Sequence, residues 1–162
     1  LSTMSDEVEW FFVGDGRYLD EFKKKVLEKN VSDVVSFIGR QNLEKMPQLF
    51  NEADVMFLSL SNSEIFALTI PARLQAFMCS GKPILAMING EGGRIIREAD
   101  CGIAVASGDF NGLVDAVLKL KVLSLEERDQ LGQNAMNYYK RNFDKTITFA
   151  KLTTIVEEYR QK

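Results

Sequence analysis

Short apolar, β-rich runs alternate along the chain with segments whose apolar residues recur every three or four positions, the pattern of successive βα units around a parallel sheet. Val8–Val13 reads as the first strand and is stopped by Gly14-Asp15-Gly16. Leu19, Phe22, Val26 and Leu27 then keep helical spacing up to Asn30. Val34–Ile38 is a second strand closed by Gly39, after which Asn42 can cap a helix with Leu49, Phe50 and Ala53 on its buried face. Val55–Ser59 is almost wholly apolar and suits a central strand covered on both faces. Pro71 opens a helix whose inner face is Leu74, Phe77 and Met78, and Gly81 followed by Pro83 stops it. Ile84–Ile88 is the fourth strand, and Gly90–Gly93 form a glycine-rich connection into a helix at Arg94–Ala99. A short strand at Ile103–Val105 precedes helices at Asn111–Leu123, Leu125–Phe143 and Thr146–Tyr159. The expected fold is therefore α/β, a Rossmann-like three-layer domain with a mainly parallel sheet of about five to six strands and helices on both faces.

Length and composition narrow the classes that remain. The 162 residues suffice for one domain with one core, and 46% hydrophobic with 27% charged residues describes an ordinary globular chain. Twenty basic against 23 acidic residues leave a net charge of −3, so no overall positive field attracts nucleic acid. The chain has no histidine, which removes the commonest general base and the commonest zinc ligand together. Chemistry falls to carboxylates, Lys, Arg and backbone dipoles, and neither a metal nor a cofactor is expected. Cys79 and Cys101 are too few for a disulfide framework. They read as reduced and partly buried, which favours the cytoplasm. No apolar run approaches the roughly 20 residues of a membrane span. The start at Leu1 rather than a methionine suggests a piece of something longer.

The turns that follow the strands hold the informative residues: Gly14-Asp15-Gly16, Gly39-Arg40, Ser59-Leu60-Ser61, Asn89 to Gly93, and Ser107-Gly108-Asp109. In open parallel sheets ligands bind at that edge, because helix starts there present N–H groups and a partial positive charge. A phosphate-bearing ligand fits; so does the plainer reading in which Gly and Ser only make tight βα turns. Gly14-x-Gly16 after a strand also suggests a dinucleotide fold, but Leu19 stands where the third glycine should be and no acidic residue is placed to grip a ribose. No Gly-Lys-Ser/Thr ends a glycine loop, and Ser59 stands where a phospho-accepting receiver would need Asp.

The ordered run VGDG, VSFIGR, ADVMFLSL, GKPILA, GEGG, CGIAV and GD resembles the C-terminal domain of retaining glycosyltransferases of the group 1, GT-B superfamily, over nearly the whole chain. Within that superfamily TIPARLQAFMCSGKPILA looks like a bacterial surface-polysaccharide branch in which a Pro-Ser-Lys-Leu type segment opens the helix; here it reads Pro71, Ala72, Arg73 and Leu74. The resemblance implies that a helix N-terminus at Ala67, Leu68 and Thr69 offers N–H groups to a donor diphosphate, with Arg73 adding positive charge. It implies that Gly14 and Gly16 admit the donor and that Gly39 and Arg40 meet the nucleobase edge. The same glycines also serve as turns, Arg40 as a solvated charge, and Arg73 as a partner of a carboxylate such as Glu64.

Two departures qualify the resemblance. Relatives carry two glutamates separated by seven residues; the second falls on Ala76, which leaves Gln75 as the neighbouring candidate for the ribose and Glu64 as a stand-in for the first. The family's domain also begins one βα unit earlier, with a basic pair that has no counterpart before Val8, and the acceptor-binding N-terminal half is missing. The expected function is the donor-binding half of a transferase that moves a hexose or N-acetylhexosamine from a nucleotide sugar, UDP-linked, to a saccharide or lipid-linked acceptor. The isolated fragment is expected to be inactive, and the full-length protein to be cytoplasmic, with a peripheral position at the inner face of the membrane open to it. A nucleotide-sugar 2-epimerase and a non-catalytic module of the same fold are the alternatives.

Overall fold

The computed structural model describes residues 8–160, and the expected missing βα unit before Val8 lies outside them. By contacts the chain divides into two compact units, Leu1–Gln48 and Leu49–Lys162.

In the first unit β1 (Trp10–Val13) and β2 (Val35–Gly39) pair in parallel, connected by α1 (Leu19–Glu28). The ladder sets Trp10 against Val35 and Phe12 against Phe37, then slips so that Val13 meets Gly39. Residues two apart on a strand share a face, so Trp10 and Phe12 turn together onto the helix. There Phe12, Phe22 and Phe37 form an aromatic triad, with ring centroids 4.7 Å (Phe12–Phe22), 5.2 Å (Phe22–Phe37) and 5.9 Å (Phe12–Phe37) apart. Val26, Val31, Val34 and Val35 complete this core. Phe11 and Val13, on the other face, are exposed. A 3₁₀ turn at Leu43–Lys45 leads into α2 (Met46–Glu52). Asn42 stands at the start of that turn, but its side chain makes no capping bond.

The second unit holds a parallel ladder in the order β3 (Met56–Ser59), β4 (Ile84–Met87), β5 (Gly102–Val105). In it β4, rather than the apolar run at Val55–Ser59, has a strand on each side. Ile84, Leu85 and Ala86 are all buried, although successive side chains point to opposite faces. Helices therefore cover both faces, as a Rossmann-like α/β arrangement requires.

The helices of this unit are α3 (Glu64–Leu68), α4 (Ala72–Ser80), α5 (Glu91–Glu98), α6 (Phe110–Lys121), α7 (Leu125–Asn142) and α8 (Lys145–Arg160). Leu74, Phe77 and Met78 of α4 enter the core as their spacing predicts, and Gly81 ends the helix in the left-handed region at φ 69°. There α7 crosses so closely that a Cβ on Gly132 would overlap the Gly81 carbonyl oxygen. A capping box starts α7, with Glu127 N–H donating to Ser124 Oγ and Ser124 N–H to Glu127 Oε2. Tyr138 Oη donates to Glu98 Oε1 at 3.2 Å and Asn134 Nδ2 to the Asp100 carbonyl at 2.8 Å, tying α7 to α5 and the loop after it. None of the residues of α8 is buried, and the helix packs against α7.

Two local expectations change. The helix expected from Arg94 starts at Glu91, so Gly92 and Gly93 are helical. Both are buried, and a Cβ at Gly92 would stand 2.7 Å from Ile88 Cδ1, so close packing overrides low helix propensity. Of the cysteines, Cys101 is buried and Cys79 is exposed; neither is in a disulfide.

Two measurements check this packing. Leu74, fully enclosed at 0% exposure, should cost about 2–5 kcal/mol in urea unfolding when replaced by Ala. Burial, reinforced by Asp100, pushes the Cys101 thiol up to about 12, so a thiol reagent at about pH 8 should titrate Cys79 alone in native protein and both cysteines after denaturation.

Candidate functional site

Parallel pairing puts the turns after β1 and β2 at one edge of the first unit. Gly14 N–H donates to the Gly39 carbonyl at 2.9 Å, so the two turns are bonded to each other. Gly14 at φ 130° and Gly39 at φ 72° hold backbone conformations that side chains disfavour. Gly16 differs: its φ lies outside that region, and a Cβ added there would meet nothing within 4 Å. Among the described residues nothing requires a glycine at 16, and the space over the turn is open. Arg40 Nη1 lies 3.9 Å from Asp15 Oδ2 with both side chains well exposed. Such a pair contributes at most about 1 kcal/mol, so Arg40 is loosely held and can turn to another anion or acceptor.

In the second unit the turns after β3, β4 and β5 are sewn together. Asn89 Nδ2 donates to Asn62 Oδ1 at 3.0 Å, Ser107 N–H donates to Asn89 Oδ1 at 3.1 Å, and Ser107 Oγ donates to the Leu60 carbonyl at 3.0 Å. Asp109 caps α6 by accepting from Gly112 N–H at 2.8 Å. Arg94, at the start of α5, is bonded to both Glu91 and Glu98. The hydrogen bond from Arg94 holds the Glu91 carboxyl below its usual range and, with burial opposing, raises the guanidinium further above its own. Arg94 is thus engaged within its own helix.

The expectation of a helix N-terminus at 67–69 is corrected. Ala67 and Leu68 end α3, which starts at Glu64, and Thr69 follows as its C-cap. Ala67 N–H donates to the Ser63 carbonyl at 3.0 Å and Thr69 N–H to the Phe66 carbonyl at 3.4 Å. The cause is Pro71: a residue before proline favours extended backbone, and Pro71 itself is extended (φ −63°, ψ 132°). The helix start therefore falls at Ala72 and Arg73, whose N–H groups have no carbonyl a turn earlier in the helix.

Glu64 is exposed at the first position of α3 and Arg73 is exposed on the first turn of α4. Neither side chain has a hydrogen-bond or ion-pair partner among the described residues, so the alternative Arg73–Glu64 pair is not formed. Gln75 is half-buried on α4 and Ala76 beside it is exposed. Asn62, Asn89 and Ser107 are the residues whose joint role the sequence conceals, since the three lie on different turns. Two open depressions, over Tyr18, Glu21, Phe22 and Lys25 and over Gly81, Asp129, Gly132 and Lys140, are lined by none of these turn residues. Among the described residues no group of three or more His, Cys, Asp or Glu could hold a metal ion, and no helix is long and apolar enough to cross a membrane. Each edge offers the backbone amides of its own turns; in the second unit the start of α4 adds N–H groups free of helical bonds and, on Arg73, a charge without a partner among the described residues.

Comparison with known proteins agrees with this architecture. Anabaena Alr3699/HepE in complex with UDP-glucose superposes with a TM-score of 0.77 at 20% identity, over 94% of this chain and 42% of that one. Sucrose-phosphate synthase from Thermosynechococcus elongatus gives 0.76 at 18% identity, over 94% and 39%. WaaG, a glycosyltransferase involved in lipopolysaccharide biosynthesis, gives 0.66 at 20%, over 83% and 34%. These likenesses are of fold, and the chain spans less than half the length of each of these solved relatives. No curated protein sequence matches. A family model for glycosyl transferases group 1 matches residues 1–138, most of the chain. The chain belongs to the group 1 glycosyl transferases.

Proposed function

We propose that this chain is the donor-binding half of a glycosyltransferase that moves a hexose or N-acetylhexosamine from a UDP-sugar to a saccharide or lipid-linked acceptor in surface polysaccharide synthesis. The observation that carries the reading is Gly16, a glycine that neither backbone conformation nor packing within the chain requires, on a turn open to an incoming group. The UDP-glucose held by HepE and the lipopolysaccharide role of WaaG support the donor class and the setting.

In this proposal Gly14 and Gly16 let the donor approach the backbone, and Gly39 and Arg40 meet the nucleobase edge. The start of α4 faces the diphosphate, Arg73 adding its charge to the helix dipole, while Ala67, Leu68 and Thr69 frame the approach instead of donating amides. Gln75 takes the ribose contact that Ala76 cannot make, and Glu64 reaches the donor sugar. Breaking the sugar–phosphate bond leaves negative charge on the departing UDP, so fixed positive potential there accelerates the step. The acceptor is held by an N-terminal half, and neither a metal nor a cofactor takes part.

Calorimetry and kinetics on the full-length protein test the assignment. Gly16→Ala should weaken UDP-glucose binding about tenfold while urea stability stays within about 0.5 kcal/mol of wild type. Equal affinity would reduce the turn to a mere connection. Arg73→Ala should lower kcat about ten- to a hundredfold with KM changed much less, the signature of a contact strengthened in the transition state; an unchanged kcat would make Arg73 an ordinary surface charge.

A further inference from the structure

We infer that the Asn89-Gly90 turn is the positioning element for α3: it grips both ends of that helix and thereby sets where Glu64 and the segment leading to α4 stand. Helix α3 has only five residues, and its N-cap Ser63 makes no side-chain capping bond. A helix of that length does not hold itself in water. Nor does burial hold it, since none of its residues is buried and Ile65, Phe66 and Leu68 are exposed. Something else fixes it, and the turn after β4 reaches it twice.

The first contact is at the entry. Asn89 spends both halves of its amide, donating from Nδ2 to Asn62 Oδ1 at 3.0 Å and accepting at Oδ1 from Ser107 N–H at 3.1 Å. Ser107 Oγ returns to the Leu60 carbonyl, so the segment entering α3 is held at residues 60 and 62. The second contact is at the exit. Gly90, at φ 72° and ψ −141°, lies so close to Ala67 that a Cβ would overlap the Ala67 carbonyl oxygen. The turn is anchored on both sides, by buried Ile88 before it and by buried Gly92 and Gly93 of α5 after it. Asn89 is thus a positioning residue that acts through Asn62 and Ser107; the part that concerns the donor rests on the function proposed above.

The test compares Asn89→Ala, Asn62→Ala and the double variant in the full-length protein, by amide hydrogen exchange and by calorimetry with UDP-glucose. Loss of one hydrogen bond corresponds to a factor of about five to ten. Asn89→Ala, which removes the bonds to both Asn62 and Ser107, should speed exchange at Ala67 and Thr69 by at least that factor while Ala135 and Tyr138 of α7 keep wild-type rates. UDP-glucose affinity should fall as well, and the double variant should be no worse than Asn89→Ala, which already lacks the bond to Asn62. Unchanged exchange at Ala67 and Thr69, or losses that multiply in the double variant, overturns the clamp. Faster exchange with undiminished affinity overturns the positioning role. Failure of wild-type protein to bind UDP-glucose overturns the donor assignment instead, and the exchange arm still decides the clamp.

Discussion

Two parallel strands cannot be joined by a tight turn, so each β-strand must be followed by a connection that crosses back over the sheet. Every turn that leaves a strand then falls at the same edge as its neighbours. In the first unit this brings Gly14 and Gly39 within one hydrogen bond of each other, and in the second it brings Leu60, Asn62, Asn89 and Ser107 into one network. The buried run Ile84–Ala86 keeps that second edge stiff, because a strand enclosed on both faces has no room to tilt. Chemistry at the edge inherits its geometry from the core.

The glycines divide by what each one does for the chain. Gly90 and Gly132 are where another backbone passes too near for a Cβ, and they belong to the packing of α3 on α5 and of α4 on α7. Gly16 belongs to no such contact. A residue type that weakens the folded chain without a local return is best understood by what approaches from outside. The charges divide in the same way: Arg94 is consumed by Glu91 and Glu98, whereas Arg73 and Glu64, at the start of two helices, have no partner among the described residues. A helix start and a guanidinium on its first turn both raise the local positive potential.

Much of the fold is legible in residue order. The apolar runs at 55–59 and 84–88, the helical spacing of Leu74, Phe77 and Met78, and the Gly81-x-Pro83 stop each encode a local preference that the tertiary structure keeps. What the sequence conceals is tertiary in origin. Helix α3 escapes notice because five residues carry no readable period and are held by Asn89 and Gly90, far along the chain. The early start of α5 escapes because Gly92 and Gly93 argue against a helix until their contact with Ile88 is known. The helix start at Ala72 follows from Pro71, which the sequence reads as opening that helix, whereas the start at 67–69 that the resemblance implies is displaced because α3 ends there. Of the candidate site residues, the turn glycines follow from strand ends alone. That Glu64 and Arg73 have no partner among the described residues, and that Asn62, Asn89 and Ser107 act together, depends on tertiary placement that residue order does not encode.

Each unit thus presents its own edge of hydrogen-bonded turns, set by its own parallel strands. Backbone amide shifts recorded during a UDP titration of the full-length protein test that description most directly. The account predicts that the perturbed amides cluster at residues 14–17 and 39–40 of the first unit and at 60–63, 69–73, 89–91 and 107–109 of the second. Saturable UDP binding that instead perturbs the surface between Gly81 and Lys140, and leaves those turns unchanged, would contradict it.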